Sequence, residues 1–161
     1  MDLSVIVEIP KGSRNKYEMD HATGTIQLDR TLSSSTSYPC EYGFVPDTLS
    51  EDGDPLDVLV LTEEPTFPGC VIKARVVGAF CMSDENGRDT KVLCVPSSDD
   101  RRANLTDLAD LPPHVLAEIS HFFTVYKDLE PGKSTEIEGW QDRAYAEREI
   151  ADSYERAGAA E

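Results

Sequence analysis

The sequence predicts an α+β fold: a small closed β-barrel of short strands with flanking helices, two of them C-terminal. Three observations predict it. Short apolar or β-branched runs, separated by glycine, proline, asparagine and serine turns, recur from Leu3 to Pro96. One of them, Val71 to Met82, is long and mostly apolar, and Gly78 marks a bend in it, which favours a closed barrel over an open sheet. From Pro113 onward the apolar spacing becomes helical, and strands followed by helices is the order of an α+β chain.

The 161 residues suit one compact domain, taken as 1–161, with room for a real core. A hydrophobic share of 39% argues against disorder. The 15 basic and 31 acidic residues leave a net charge of −16. Such a surface repels nucleic acid and anionic membranes, and it suits a protein that collects cations. The surplus also reads simply as a solubilising surface. Cys40, Cys70, Cys81 and Cys94 form no Cys-x-x-Cys pair, and no histidine stands at zinc-finger spacing. Three of them lie in or beside apolar runs and read as core residues, so reduced thiols in a cytoplasmic protein are expected. Met1-Asp2-Leu3-Ser4 carries no basic segment, and Glu8 and Pro10 interrupt the apolar run, so no signal peptide is expected. No stretch approaches the roughly 20 apolar residues of a membrane span.

The elements follow in order. Leu3 to Ile9 is the first strand, and Glu8 within it is either outward-facing or aimed at a polar site. Pro10 to Asn15 is a loop. Lys16-Tyr17-Glu18-Met19 alternates, which puts Lys16 and Glu18 on one face. His21 to Gly24 makes a turn, and Thr25 to Leu28 returns as the second strand of a hairpin, ended by Asp29-Arg30. Ser33 to Ser37 is a polar loop. Tyr38 to Pro46 is dense in aromatic residues; the hydroxyls of Tyr38 and Tyr42 either donate to an anion or accompany plain packing. Val58 to Leu61 is a buried strand, and Glu63 to Gly69 is a proline-rich turn. Ser83 to Asp89 is an acidic turn with Asn86-Gly87 as hairpin chemistry, and Lys91 to Pro96 is the strand that leaves it. Asp99 to Asp110 is polar with weak helical signs. Apolar residues at 115, 116, 119, 122, 123, 126 and 129 predict a helix from Pro113 to Leu129, stopped by Pro131-Gly132. Ser134 to Trp140 allows another strand, and Asp142 caps a last helix to about Ala157, ended by Gly158.

The chemistry centres on Asp52-Gly53-Asp54-Pro55-Leu56-Asp57. Carboxylates packed this closely repel one another unless a cation sits among them, and hard divalent ions such as Mg²⁺ and Ca²⁺ take oxygen ligands. If the strands beside the two acidic turns are neighbours, Asp52, Asp54, Asp57, Asp84 and Asp89 converge, and that many negative charges imply two or more metal ions. A calcium EF-hand fits poorly: Leu56 stands where a ligand belongs, Asp57 where the glycine belongs, and Pro55 suits neither. Lys16, Arg30, Lys91 and Lys127 each sit beside an acidic residue or a tyrosine. Singly, each reads as a surface ion pair. Together with a multi-metal carboxylate cluster they point to a highly charged anionic substrate, held by metal on one side and by Lys and Arg on the other. Walker, G-x-G-x-x-G and G-x-S-x-G motifs are all missing, as is a Cys/His pair. Phosphoryl transfer to water without a covalent intermediate remains.

The stretch Asp52 to Val58 resembles the signature of the soluble, Mg²⁺-dependent inorganic pyrophosphatases of bacterial type. The likeness runs in order through Glu8-Ile9-Pro10, Lys16-Tyr17-Glu18, Leu28-Asp29-Arg30, Tyr38-Pro39, Tyr42-Gly43, Asp84-Glu85, Asp89-Thr90-Lys91 and His121-Phe122-Phe123 to Leu129. That resemblance implies hydrolysis of inorganic pyrophosphate to two orthophosphates by a metal-activated water attacking in line. It implies Asp52, Asp57 and Asp89 as ligands of the tighter Mg²⁺, with Asp57 reaching a second ion. Asp84 and Asp89 would hold an ion that arrives with substrate, Glu18 would serve a further ion, and Glu8 would act largely through metal-bound waters. Mn²⁺ and Zn²⁺ are the substitute ions. Asp54 matches the general base. Lys16, Arg30, Tyr126 and Lys127 match the groups that hold the phosphates; Lys91 and the catalytic Tyr42 line the same site, and Tyr38 supports it. The resemblance also implies a five-stranded barrel of oligonucleotide-binding type, a cytoplasmic homohexamer, and subunit contact through the helix that carries His121. Arg88, beside Asp89, either weakens metal binding there or points outward. Two other readings stay open: a metal-dependent hydrolase of another phosphoanhydride, such as short polyphosphate or a nucleotide, and an acidic calcium-binding protein without catalysis. The first lacks any provision for a base, and the second leaves Lys16, Arg30 and Lys127 unexplained.

Overall fold

Extended runs satisfy their backbone N–H and C=O groups by pairing with one another. The computed structural model describes residues 1–160. Its strands are β1 (Asp2–Ile9), β2 (Asn15–Asp20), β3 (Thr25–Thr31), β4 (Glu41–Phe44), β5 (Asp57–Val60), β6 (Val71–Asp84), β7 (Gly87–Pro96) and β8 (Thr135–Gln141). The helices are α1 (Pro113–Val125) and α2 (Arg143–Ala159). Asp100–Arg102 and Leu108–Asp110 form short 3₁₀ turns in the polar stretch between β7 and α1. The α+β expectation is borne out. Among the described residues no helix is long and apolar enough to cross a membrane.

The main sheet runs β1-β4-β5-β7-β6-β8, and β1 pairs again with β6. Strands β1, β4, β5, β7 and β6 therefore make a ring of five, and β8 is added beside it. The 14-residue β6 is long enough to serve both neighbours: its first part pairs with β1 and its last part with β8. Its register against β7 slips between Val76 and Gly78, at the glycine bend expected from the sequence. Strands β5 and β7 are parallel, and the other pairs are antiparallel. The β2–β3 hairpin is a separate two-stranded sheet.

Successive side chains of a strand face opposite ways, and here both faces are covered. Leu59, Phe80, Met82 and Leu93 pack with Ile119, Phe122 and Phe123 of α1. Val58, Val60, Ala79, Val92 and Cys94 pack with Ala146 and Ile150 of α2. This double burial is why β5 and β7 appear in the sequence as continuous apolar runs without alternation.

The structure differs from the expectation at several boundaries. β4 lies within the aromatic stretch, where no strand was expected; it is only four residues long and is set by pairing with β1 and β5. β3 does not end at Asp29-Arg30 but runs through them to Thr31, because Arg30 pairs with Lys16 and Thr31 with Asn15. α1 ends at Val125, four residues short of Leu129. Beyond Tyr126 the backbone tightens into three-residue turns, Asp128 N–H to Val125 C=O and Glu130 N–H to Lys127 C=O. α2 runs through Gly158 to Ala159, capped at its start by Asp142 as expected. The β6–β7 turn is Glu85-Asn86, and Gly87 opens β7 with φ 112°.

Candidate active site

Because β5 and β7 are parallel neighbours, their N-terminal ends lie side by side, with Asp57 opposite Lys91. β6 runs antiparallel to β7, so its C-terminal Asp84 comes to the same end. The Asp52–Asp57 loop, the β2–β3 hairpin and the turn after α1 complete the walls. The space between them is a cavity of about 800 Å³. Glu8, Lys16, Glu18, Arg30, Tyr42, Asp52, Asp54, Asp57, Asp84, Asp89, Lys91, Tyr126 and Lys127 all line it. Tyr38 stands behind it, buried, with its ring edge-on to Tyr42 at 5.6 Å between centroids.

Lys91 is the centre of the acidic wall. It is only 1% exposed, so the surface ion pair expected for it is in fact a buried one. Asp89 and Lys91, two apart on β7, point the same way into the cavity end of the ring. Lys91 Nζ donates to Tyr42 Oη at 2.8 Å, to Asp57 Oδ2 at 3.1 Å and to Asp89 Oδ2 at 2.8 Å. Burial works to raise the pKa of both carboxylates, and the Lys91 ammonium opposes it. Asp57 is pushed up to about 8. Asp89, nearer the ammonium, is held below the usual carboxylate range. Burial also raises Tyr42 and Tyr126, which keeps both phenols neutral and able to donate.

The Asp52 loop turns on Gly53, whose φ of 92° is a conformation glycine adopts without strain. Asp52 Oδ1 accepts from Asp54 N–H at 3.0 Å, which holds the Asp52 carboxylate against the loop's own backbone. Glu8 settles between its two readings: it is buried, faces the cavity and accepts Met19 N–H at 2.7 Å. Burial raises its pKa, partly offset by that hydrogen bond and by Lys16.

On the opposite wall, Lys16 Nζ lies 3.2 Å from Asp29 and 3.9 Å from Glu18. Lys127 Nζ is 3.5 Å from both Asp84 and Glu85, and 5.4 Å from the Tyr126 ring centroid. Arg88 points outward: it donates to Tyr145 Oη of α2 at 2.6 Å and pairs with Glu138 of β8 at 3.9 Å. His21 lines the cavity with its ring edge-on to Phe44, whereas His121 is exposed on α1 and lines no part of it. Sequence reasoning missed Lys133, which also lines the cavity, and Glu130, which takes Arg30 in a two-oxygen ion pair. No local signal marks Glu130, since its partner is 100 residues away.

The donor set suits hard divalent cations. It is all oxygen, and at Asp57 burial raises the proton affinity by more than the shared Lys91 ammonium lowers it, a deficit that a second cation would relieve. Among the described residues, however, no three acidic, histidine or cysteine side chains already form a grip on one ion. In this arrangement the ammonium of Lys91 occupies the place between Asp57 and Asp89.

A ring of five strands whose one end sets oxygen ligands against Lys and Arg defines a class: a small β-ring protein built to handle phosphate with metal ions. Comparison with known proteins narrows it. The family model described as inorganic pyrophosphatase matches residues 5–158. An inorganic pyrophosphatase of Streptomyces coelicolor is 59% identical over 97% of this chain and 96% of its own. One from Leifsonia xyli is 56% identical over 89% of this chain and 88% of its own. Among solved structures, the inorganic pyrophosphatase of Thermus thermophilus superposes with a TM-score of 0.95 at 46% identity, covering 98% of this chain and 91% of that one. That of Helicobacter pylori gives 0.95 at 40% identity, covering 98% and 94%. The chain belongs to the inorganic pyrophosphatase family, and its activity is hydrolysis of pyrophosphate to two orthophosphates.

Proposed function

We propose that residues 1–161 act as one catalytic domain and that the two walls of the cavity divide the work of this hydrolysis. The observation that carries this reading is the gathering of Asp52, Asp57, Asp84 and Asp89 with Lys16, Arg30 and Lys127 round one cavity. Asp52, Asp57 and Asp89 would hold Mg²⁺, Asp84 with Asp89 would hold a further ion beside the substrate, and Glu18 and Glu8 would serve the outer coordination; Mn²⁺ and Zn²⁺ are the substitutes. When bound, the ions supply the Lewis acidity that lets a water lose its proton near neutral pH. Asp54, exposed at the cavity wall, takes that proton. Lys16, Arg30 and Lys127 hold the phosphates, and Tyr126 donates its neutral phenol to them. Lys91 and Tyr42 keep Asp57 and Asp89 fixed and offset the charge that gathers beside them.

The protein works in the cytoplasm, a reading supported by four unpaired cysteines. It assembles as a homohexamer, with α1, which carries the exposed His121, at the subunit contact. The test is phosphate release from pyrophosphate with Mg²⁺ and with chelator, beside ATP and triphosphate. Release from pyrophosphate that stops with chelator is expected. Equal rates with and without metal would overturn the reading, and a clear preference for ATP would assign the cavity to nucleotides.

A further inference from the structure

We propose that Glu130 is a positioning residue: it holds the Arg30 guanidinium in the plane from which its remaining N–H groups meet the substrate phosphate. The inference rests on the reading above that Arg30 binds phosphate.

Glu130 sits in the turn after α1, its side chain only 7% exposed. Arg30, in β3, donates from Nε to one of its oxygens and from Nη2 to the other, the latter at 3.2 Å. Two parallel bonds of this kind fix both the place and the tilt of a guanidinium, which a single contact does not. Arg30 Nη1 donates to Asp29, which also bonds Lys16. A guanidinium carries five N–H groups. Glu130 takes two and Asp29 one, so each terminal nitrogen keeps one donor. Glu130 grips the side edge, Nε with Nη2, and Arg30 still lines the cavity while Glu130 does not. The carboxylate therefore has no direct access to substrate, and phosphate need not displace it.

The pair also joins two elements that line the cavity, β3 and the turn after α1. Glu130 N–H donates to Lys127 C=O at 2.9 Å, so the turn that presents Lys127 is the turn that anchors Arg30. Lys133 Nζ lies 3.7 Å from the same carboxylate. A long arginine side chain left free must be ordered when substrate binds; one already ordered binds more tightly for the same contacts.

The experiment is steady-state pyrophosphate hydrolysis with saturating Mg²⁺ by Glu130→Gln, Arg30→Ala and the double variant, with thermal melting of each. Glu130→Gln keeps shape but replaces one acceptor by a donor that faces Arg30. Its KM should rise about tenfold with kcat changed by less than about threefold and an almost unchanged Tm. Arg30→Ala should raise KM at least as much, and the double variant should match Arg30→Ala alone, because Glu130 acts only through Arg30. Additive losses in the double variant would make Glu130 a separate structural residue and overturn the proposal. A lowered KM in Glu130→Gln would overturn it too, by making Glu130 a competitor for the guanidinium. If Arg30→Ala itself hydrolyses like wild type, the phosphate reading of Arg30 is what fails. Arg30→Gln replaces Arg30→Ala in the same cycle if the alanine variant does not fold.

Discussion

Lys91 lies between Asp57 and Asp89, its ammonium 3.1 Å from one carboxylate and 2.8 Å from the other, and almost no solvent reaches it. That cation opposes the proton uptake that burial favours at both carboxylates, and it prevails at Asp89 but not at Asp57. Replacing it with methionine keeps the stem and removes the charge. Lys91→Met should lose about 3–5 kcal/mol in urea unfolding, the scale on which a buried pair fails when one partner goes. Adding Asp89→Asn should recover part of that loss, since the deficit lies in the stranded carboxylates. A double variant no more stable than Lys91→Met would place the cost elsewhere.

Asp57 is the carboxylate least well compensated by Lys91, and it should gain most from a divalent ion. Mg²⁺ should raise the melting temperature of the wild-type protein, by up to about 2.7 kcal/mol of stability when the ion is at 100 times its dissociation constant. Asp57→Asn should shrink that rise and lower phosphate release by about 100-fold or more. Wild-type turnover in this variant would show that the metal site lies away from Asp57.

The ease of reading this chain varied with how local each cause is. Strands β1, β5 and β6 and the cap at Asp142 depend on neighbouring residues and stand within two residues of where their apolar runs and turn chemistry predict; β7 begins at Gly87, four residues before the Lys91 start that its apolar run marks. β4 carries no such run: Glu41 and Gly43 are poor strand residues, and pairing on both sides makes the segment a strand. The side chains gathered at the cavity were legible through motif likeness, whereas their electrostatics were not. That Lys91 is buried follows from the parallel pairing of β5 with β7, and Glu130 owes its role to a partner on a distant hairpin. Neither fact has a signature within a window of sequence.

Asp107 ties the second 3₁₀ turn to the start of α2. It accepts from Leu108 N–H at 2.8 Å and from Arg143 N–H at 3.0 Å. These two bonds, that from Arg143 first, lower its pKa below the ordinary 3.8. A carboxylate whose folded pKa is depressed stabilises above its unfolded pKa, and the effect disappears as pH falls through the folded value. Asp107→Asn should therefore be less stable than wild type near neutral pH and converge with it as pH falls below 3.8 and through the folded value in paired urea titrations. A constant gap at all pH values would mean that the side chain's shape, and not its charge, sets the contribution.

Gly43 lies where β4 passes close against β1. It is opposite Val7 of β1 on one side and Val58 of β5 on the other, so β4 has no free edge along which to shift. A Cβ there would stand 2.1 Å from the Ile6 carbonyl oxygen and 2.9 Å from its carbon. Both are backbone atoms, which no change of rotamer can move aside. The only relief is separation of β1 from β4, and that would carry Tyr42 away from Lys91. Gly43→Ala should therefore cost about 3 kcal/mol or more, the upper range for adding one methyl to a packed interior. It should also lower activity in whatever fraction stays folded, because the Lys91 hydrogen bond to Tyr42 lengthens. Urea unfolding and pyrophosphate hydrolysis on the same preparation check both parts. Stability within about 0.5 kcal/mol of wild type would show that β1 and β4 separate freely, and the tight spacing would then have no part in holding Tyr42.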